Sequence, residues 1–160
     1  MFSSIEEDII RFEDTVKILN ESLTENELFF VLEVNSTSAS CPTCGSSSNR
    51  AHSRYTRHID DLPISDRHIH FQLIVHKWFC DYPDCPVKVF TERLSWIKPY
   101  KRKTKRLEGV IRKIAFSTNC LTAEKVCHAL HIPVSHDTLL RHVKSETNES
   151  VPSLSPFRRH

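Results

Sequence analysis

Two pairs of cysteines bracket the middle of the chain and limit its fold more than any other feature. The first pair is Cys41 and Cys44, followed by Gly45, and the second pair is Cys80 and Cys85. Cysteines at such short spacing can direct both thiolates at one ion, and the glycine supplies the permissive backbone that the first turn needs. Four thiolates fill a tetrahedral site completely. The spacing therefore predicts one structural zinc ion, with no open position for catalysis.

Two other interpretations of these cysteines are a pair of disulfides and four buried thiols. The N-terminus lacks the basic end of a signal peptide, and Cys-x2-Cys spacing in such a chain favours a metal. His52 is an alternative fourth ligand, although its polar surroundings fit a solvated strand histidine better. No apolar run approaches the roughly 20 residues that span a bilayer. We therefore expect a cytoplasmic protein with no membrane partner, in a compartment that keeps thiols reduced.

The segment between the cysteine pairs alternates as a half-buried strand does. One face carries Ile69, Phe71, Leu73 and Val75, and the other carries His68, His70, Gln72 and His76. Residues 50–59 are predicted to form the partner strand, and Asp60 to Asp66 the connection between the two strands. The adjacent acids Asp60 and Asp61 could be taken for a catalytic pair, but such acids more often serve a turn. The pattern predicts a zinc ribbon. Its core is small, so metal binding is expected to supply much of its folding free energy.

The N-terminal segment is predicted to add a β-hairpin that packs on the ribbon. Residues 16–19 and 27–34 have strand character, and the turn-forming residues 23–26 separate them. A helix over residues 5–20 is the alternative, because the apolar residues there do not alternate cleanly. After Cys85, residues 87–90 are expected to form a last short strand.

The charge distribution is polarised although the net charge is only +2. Residues 1–35 contain nine acids and two bases, whereas residues 98–113 contain eight Lys or Arg and one Glu. A clustered basic run of this kind indicates a nucleic-acid partner, with a solvated linker as the alternative interpretation. The residues predicted to contact phosphate are Lys101, Arg102, Lys103, Lys105 and Arg106.

From Leu107 onward the apolar period becomes helical. The first stripe consists of Leu107, Val110, Ile111, Ile114 and Ala115. Thr122 is predicted to cap a second helix that Pro133 ends, and Ser135 is predicted to cap a third. Three short helices with a tight turn between the last two predict a helix-turn-helix.

The third helix is predicted to enter the major groove. Its outer side carries the candidate DNA contacts His136, Thr138, Arg141, His142 and Lys144. Arg141 is the best candidate for contact with a base edge, because a guanidinium can bond both major-groove acceptors of guanine. The alternative is that Arg141 contacts only phosphate. A second metal site at Cys120, Cys127, His128 and His131 is disfavoured, because one helix face offers two ligands where a closed site needs four.

Several of these motifs together resemble a known family. One set of motifs resembles the zinc-binding head of bacterial insertion-sequence transposases of the ISL-three family. It consists of the first cysteine pair, the run His52 to Arg57, the run Asp61-Leu62-Pro63 and the stretch from Trp78 to Arg93. The later run from Ile132 to Arg141 resembles that family's helix-turn-helix. The resemblance spans about residues 8–145, and its two separate motifs stand in the expected order.

The resemblance implies a DNA-binding N-terminal part of a transposase that recognises terminal inverted repeats. Its partners would be the double-stranded DNA of the transposon ends and a second protein molecule. That molecule would be either another copy of this chain in a homo-oligomer or a full-length transposase. The family's longer catalytic domain, with three metal-binding acids on a ribonuclease-like fold, does not follow the helix-turn-helix here. We therefore expect a truncated product, or the first part of a split gene, that is not an enzyme. A zinc-ribbon/helix-turn-helix transcription regulator is the alternative function.

A zinc hydrolase or deaminase would need an open zinc position and a nearby general acid, and neither appears in the sequence. The predicted fold is α+β, a β-rich zinc ribbon with an N-terminal hairpin, followed by a small three-helix helix-turn-helix domain. The predicted segments are an N-terminal hairpin over 1–40, a zinc ribbon over 41–97, a basic linker over 98–106, a helix-turn-helix over 107–145 and a disordered tail over 146–160.

Overall fold

The computed structural model describes residues 13–149, which form two compact units, one ending at Leu107 and the other beginning at Glu108. Within residues 13–149 the fold is mixed, with a sheet of several strands and three helices. Residues 16–20 are in a strand, so the helical alternative for residues 5–20 is wrong over that part. Residues 5–12 of that alternative, and the predicted tail from residue 150 onward, lie outside the described residues. The tail was predicted to begin at residue 146, and this is wrong for residues 146–149, which are helical.

The first unit is built from hairpins. The first hairpin consists of strands β1 (Val16–Leu23) and β2 (Glu27–Val34), and the second of β3 (Ala39–Ser40) and β4 (Ser47–Ser48). The longest hairpin consists of β5 (Ala51–Ile64) and β6 (Arg67–Phe79), and a last short strand, β7 (Val89–Thr91), follows it. The main sheet has the order β1-β2-β6-β5, and β7 also pairs with β6. The N-terminal hairpin therefore joins the ribbon edge to edge, because β2 runs parallel to β6 and pairs with it from His68 to Ile74.

The core lies on one face of this sheet. It comprises Phe30, Leu32, Val34, Ile59, Ile69, Phe71, Leu73, Val75, Leu94 and Ile97. The predicted apolar face of β6 is confirmed. The ribbon has more core than its own sequence suggested, since β2 and the segment after β7 contribute to it. His76 was expected on the solvated face and is buried instead: its backbone N–H donates to Glu92 Oε1 at 2.7 Å.

The connection between the ribbon strands is shorter than predicted. Strand β5 continues to Ile64, and only Ser65 and Asp66 form the turn, both in the left-handed region with φ of 49° and 63°. Such a two-residue turn matches the twist of a hairpin. Pro63 is tolerated because the register shifts between Asp61 and Ile64, so the ladder needs no donor from it. The prediction that Asp60 and Asp61 belong to the turn is wrong.

The basic run is ordered along the outer edge of β5. Asp60 and Lys103 form a parallel bridge, the Asp60 amide donates to the Arg102 carbonyl at 2.8 Å, and the Thr104 amide donates to the Asp60 carbonyl at 3.0 Å. The backbone of this run is therefore fixed along β5, while Lys101, Arg102 and Lys105 remain exposed to solvent. An edge strand has unpaired backbone groups, and the basic run satisfies several of them.

The three helices are α1 (Lys105–Ser117), α2 (Cys120–Ala129) and α3 (His136–Glu149). Asn119 caps α2 by accepting from the Thr122 amide at 2.9 Å, so the predicted cap at Thr122 is wrong by one turn. Helix α2 ends before Pro133, and His131 adopts φ of 57°. Ser135 precedes α3 and caps it as predicted: its carbonyl accepts from the Leu139 amide at 3.1 Å, and its Oγ from the Thr138 amide at 3.4 Å.

Candidate metal centre and nucleic-acid interface

The first cysteine pair lies at the tip of the hairpin formed by β3 and β4. The Cys41 amide donates to the Ser46 carbonyl, and the Gly45 amide donates to the Cys41 carbonyl, both at 2.8 Å. Gly45 has φ of +75°, a conformation that L side chains rarely adopt. This turn brings the Cys41 and Cys44 thiols to the same side, as the spacing predicts.

The second pair lies on the loop between β6 and β7. The Cys80 amide donates to the Lys88 carbonyl at 2.9 Å, and the Cys85 amide donates to the Tyr82 carbonyl at 3.1 Å. A second apolar cluster surrounds the thiols and consists of Cys41, Trp78, Cys80, Cys85 and Phe90. The metal centre therefore has a small core of its own, separate from that of the main sheet.

The four sulfur atoms lie within 4.8 Å of one another. Cys41 Sγ is 3.9 Å from Cys85 Sγ, and Cys44 Sγ is 3.5 Å from Cys80 Sγ. Zinc–sulfur bonds of about 2.3 Å in a tetrahedron place the sulfurs about 3.8 Å apart. All four cysteines are free thiols, so the disulfide interpretation is wrong. The donor set and its spacing fit one structural zinc ion.

This quartet is the one potential metal-binding cluster among the described residues. His52 does not belong to it; the imidazole packs edge-on against the Phe79 ring, with 4.7 Å between ring centroids. The second site considered at Cys127 and its neighbours does not form either. Cys127 is fully buried, and burial raises the pKa of its thiol.

Without metal, the four thiols divide into two classes. Hydrogen bonds from the Cys44 and Thr43 backbone outweigh the effect of burial and lower the pKa of Cys41 to about 6. A hydrogen bond from the Ser46 backbone likewise lowers the pKa of Cys44. A Tyr82 backbone bond favours the Cys80 thiolate, but burial and the neighbouring sulfurs outweigh it and raise the pKa to about 12. Burial likewise raises the pKa of Cys85. Zinc must therefore displace protons from Cys80 and Cys85 at neutral pH.

Zinc affinity is accordingly expected to fall by at least about a hundredfold for each pH unit of acidification near neutrality, since the protons of Cys80 and Cys85 both compete with the ion. Below the Cys41 pKa of about 6, the proton on Cys41 also competes and makes the dependence steeper. Competition with a chromogenic chelator between pH 5.5 and 8 measures this slope. A dependence of tenfold or less per unit would show that Cys80 and Cys85 are not both protonated before zinc binds.

A closed tetrathiolate at the base of a hairpin defines a structural zinc ribbon. Residues 37–85 match the family model of the zinc-finger of transposase IS204/IS1001/IS1096/IS1165. This match and the four clustered cysteines confirm, for these residues, the resemblance to the zinc ribbon of ISL3-family transposases. No curated protein and no solved structure matches the chain. Among the described residues, no helix is both long and apolar enough to pass through a bilayer.

The basic residues predicted to contact DNA fall into two groups. Lys101, Arg102 and Lys105 are exposed on the segment along β5, and Lys103 is half-buried there, where it pairs with Asp60. Arg106 instead directs its guanidinium to the buried Asp61 carboxylate, with Nε to Oδ1 at 2.8 Å and Nη2 paired with Oδ2. That contact raises the pKa of Arg106 and gives its side chain an anchoring role.

Sequence reasoning missed the residues that hold this segment in place. Thr104 Oγ1 donates to Asp61 at 2.6 Å and also accepts from the Leu107 amide at 3.2 Å, so Thr104 caps α1. Arg57 Nη2 donates to the carbonyls of Lys98 and Lys101, at 3.2 and 2.7 Å. Threonine directly before a helical period was an available capping signal. Nothing local pointed to Asp61 or Arg57, whose partners are more than 40 residues away.

The candidate contacts on α3 lie on its more accessible side. Arg141 and Lys144 are exposed, and His136, Thr138 and His142 are half-buried, while Leu139 faces inward and is fully buried. The Arg141 guanidinium makes two long contacts within the helix, with the Asp137 carbonyl and Thr138 Oγ1, both at 3.4 Å. These contacts are weak enough to be exchanged for a stronger acceptor.

Proposed function

We propose that this chain binds double-stranded DNA as the N-terminal part of an insertion-sequence transposase and recognises the element's terminal inverted repeats. The observation that carries the proposal is the basic segment fixed along β5. Arg102 and Lys105 are exposed there on a backbone held by Asp60, Thr104 and Arg57. Cations on an ordered backbone lose less conformational entropy when they meet phosphates than cations on a mobile linker.

Helices α2 and α3 support sequence recognition as a helix-turn-helix. Their connection buries Ile132 and Val134, and the His136 amide at the start of α3 donates to Glu124 Oε1 on α2 at 3.2 Å. These contacts fix α3 against α2, while the positively charged Arg141 remains exposed. In this proposal α3 enters the major groove, and the Arg141 guanidinium bonds the O6 and N7 atoms of a guanine.

The zinc ion has a structural role in this proposal. Four protein thiolates leave no coordination position for water or substrate, so the ribbon holds its loops in place without chemistry of its own. We infer that this chain does not cleave or join DNA by itself. The other proposed partner is a second copy of the chain or a full-length transposase, since pairing two transposon ends requires two DNA-binding units. We place this interaction in the cytoplasm.

The test compares two variants on two duplexes, one with the terminal repeat and one with the same bases scrambled. Arg141→Ala is expected to weaken binding to the repeat by about tenfold to a hundredfold and to change binding to the scrambled duplex little, because one bidentate base contact is lost. Arg102→Ala/Lys105→Ala is expected to weaken both equally and to reduce the slope of log affinity against log salt by about two. Fluorescence anisotropy over a salt series measures both effects.

Each result separates the proposal from an alternative. Equal weakening of both duplexes by Arg141→Ala would assign Arg141 to phosphate contact. Preference for the sequence upstream of the chain's own gene, in place of the terminal repeats, would identify a transcription regulator. No measurable binding to either duplex would refute the DNA-binding function.

A further inference from the structure

A groove of about 440 Å³ opens on the first unit between the ribbon strands and the segment after β7. Tyr55 and Arg57 from β5, Lys77 from β6, and Arg93 and Tyr100 from the later segment contribute to its walls. This volume is in the range of pockets that accept a small organic group. The groove lies outside the zinc centre, and neither the metal site nor the proposed major-groove contacts use it.

Tyr100 stands at the mouth of this groove in an unusual conformation. Its φ is 60°, in the left-handed region, and the residue is 95% exposed. Arg57 braces the backbone on both sides of it by donating to the Lys98 and Lys101 carbonyls. A non-glycine residue in the left-handed region is strained, and such strained residues concentrate at functional sites. The ring is therefore positioned to stack on a ligand.

The groove is also positively charged. It contains the cations Arg57, Lys77 and Arg93 and the single acid Glu92. The Glu92 carboxylate is buried and already bonded, to the His76 amide at 2.7 Å and to the Ser36 hydroxyl. Lys77 Nζ lies 5.1 Å from the Tyr55 ring centroid. Arg93 is exposed and makes no hydrogen bond or ion pair with the residues between 13 and 149 that the structure describes.

We propose that this groove binds an unpaired nucleotide of a DNA strand, with its base stacked on Tyr100 and the neighbouring phosphates at Lys77 and Arg93. An exposed aromatic ring beside clustered cations is the arrangement by which proteins hold single strands. In a paired duplex the bases are stacked inside the helix and show only their edges, so none can lie flat on Tyr100. The ligand class rests on the proposed function. Arg57 also holds the basic segment, but Tyr100, Lys77 and Arg93 are not among the residues proposed to contact the duplex.

The experiment compares a blunt duplex with the same duplex carrying four unpaired thymidines at one end. The zinc-loaded full chain is expected to bind the overhang duplex about fivefold to a hundredfold more tightly, because base–aromatic stacking contributes that much. Tyr100→Ala should remove this gain and change blunt-duplex affinity by less than about twofold, and Tyr100→Phe should retain it because the ring remains. Tyr82→Ala, at an exposed tyrosine on the second cysteine loop, is the matched control and should keep the full gain.

Lys77→Ala and Arg93→Ala are expected to reduce the gain severalfold and to lower the salt dependence of overhang binding by about one each. If the overhang adds no affinity, or if Tyr100→Ala keeps the gain, the groove proposal is wrong and duplex binding by the other surfaces stands. Equal weakening of blunt and overhang duplexes by Tyr100→Ala would place the ring against a duplex backbone and also overturn the proposal. Loss of all DNA binding in the unmodified chain would overturn both proposals.

Discussion

Replacement of Cys80 with serine is expected to abolish zinc binding and to unfold both cysteine loops while the main sheet stays folded. The four thiolates act together, and zinc held by such sites contributes about 10 kcal/mol or more of folding free energy. The small cluster around Trp78 and Phe90 cannot replace that contribution. The main core is separate from that cluster and includes Phe71 and Leu73, both fully buried.

Elemental analysis should show zinc falling from about one ion per chain to below about 0.1. Hydrogen exchange should show loss of protection in residues 39–48 and 80–90 and retained protection in β2 and β6. Cys127→Ala is the control, because it removes a buried thiol outside the quartet and should leave the zinc content unchanged. Loss of protection in β2 and β6 as well would show that the zinc ion organises the whole first unit.

The metal centre and the strand faces could be predicted because their signals are local. Cys41 and Cys44 meet through a turn of a few residues, and the alternation from Ile69 to Val75 assigns one face of β6 to the core. Pairing of β2 with β6 could not be predicted, because it joins segments about 40 residues apart and depends on which edge is unoccupied. The sequence of β2 shows that it is a strand and does not identify its partner.

At Asp60 and Asp61, distant partners overrule local preference. Asp60 and Asp61 beside Pro63 suggest a turn when their neighbours alone are considered, yet Thr104 and Arg106 supply the bonds that allow Asp61 to be buried in a strand. The basic run likewise carries no local signal that its backbone pairs with the edge of β5. At α2, both Asn119 and Thr122 are residue types that cap helices, and only the backbone geometry distinguishes them.

Replacement of Asp61 with alanine is expected to destabilise the first unit by about 2–4 kcal/mol. The carboxylate side chain is 2% exposed, and it receives bonds from the Thr104 hydroxyl and from two nitrogens of Arg106. Its loss leaves the buried Thr104 hydroxyl without this acceptor and the guanidinium without its counter-ion. Arg106 is 46% exposed and can be rehydrated, which keeps the cost below that of breaking a fully buried ion pair.

The same substitution should release the basic segment from β5 and thereby weaken DNA binding. Amide exchange at Thr104 and Asp60 should accelerate, and duplex affinity should fall although none of the cations proposed to contact DNA has been removed. Urea unfolding and anisotropy measure the two effects. Glu33→Ala is the matched control: it removes the same charge from a more exposed ion pair, with Arg54 at 3.1 Å, and should cost less than about 1 kcal/mol. If Asp61→Ala lowers stability and leaves duplex affinity unchanged, the fixed position of the segment does not contribute to DNA binding.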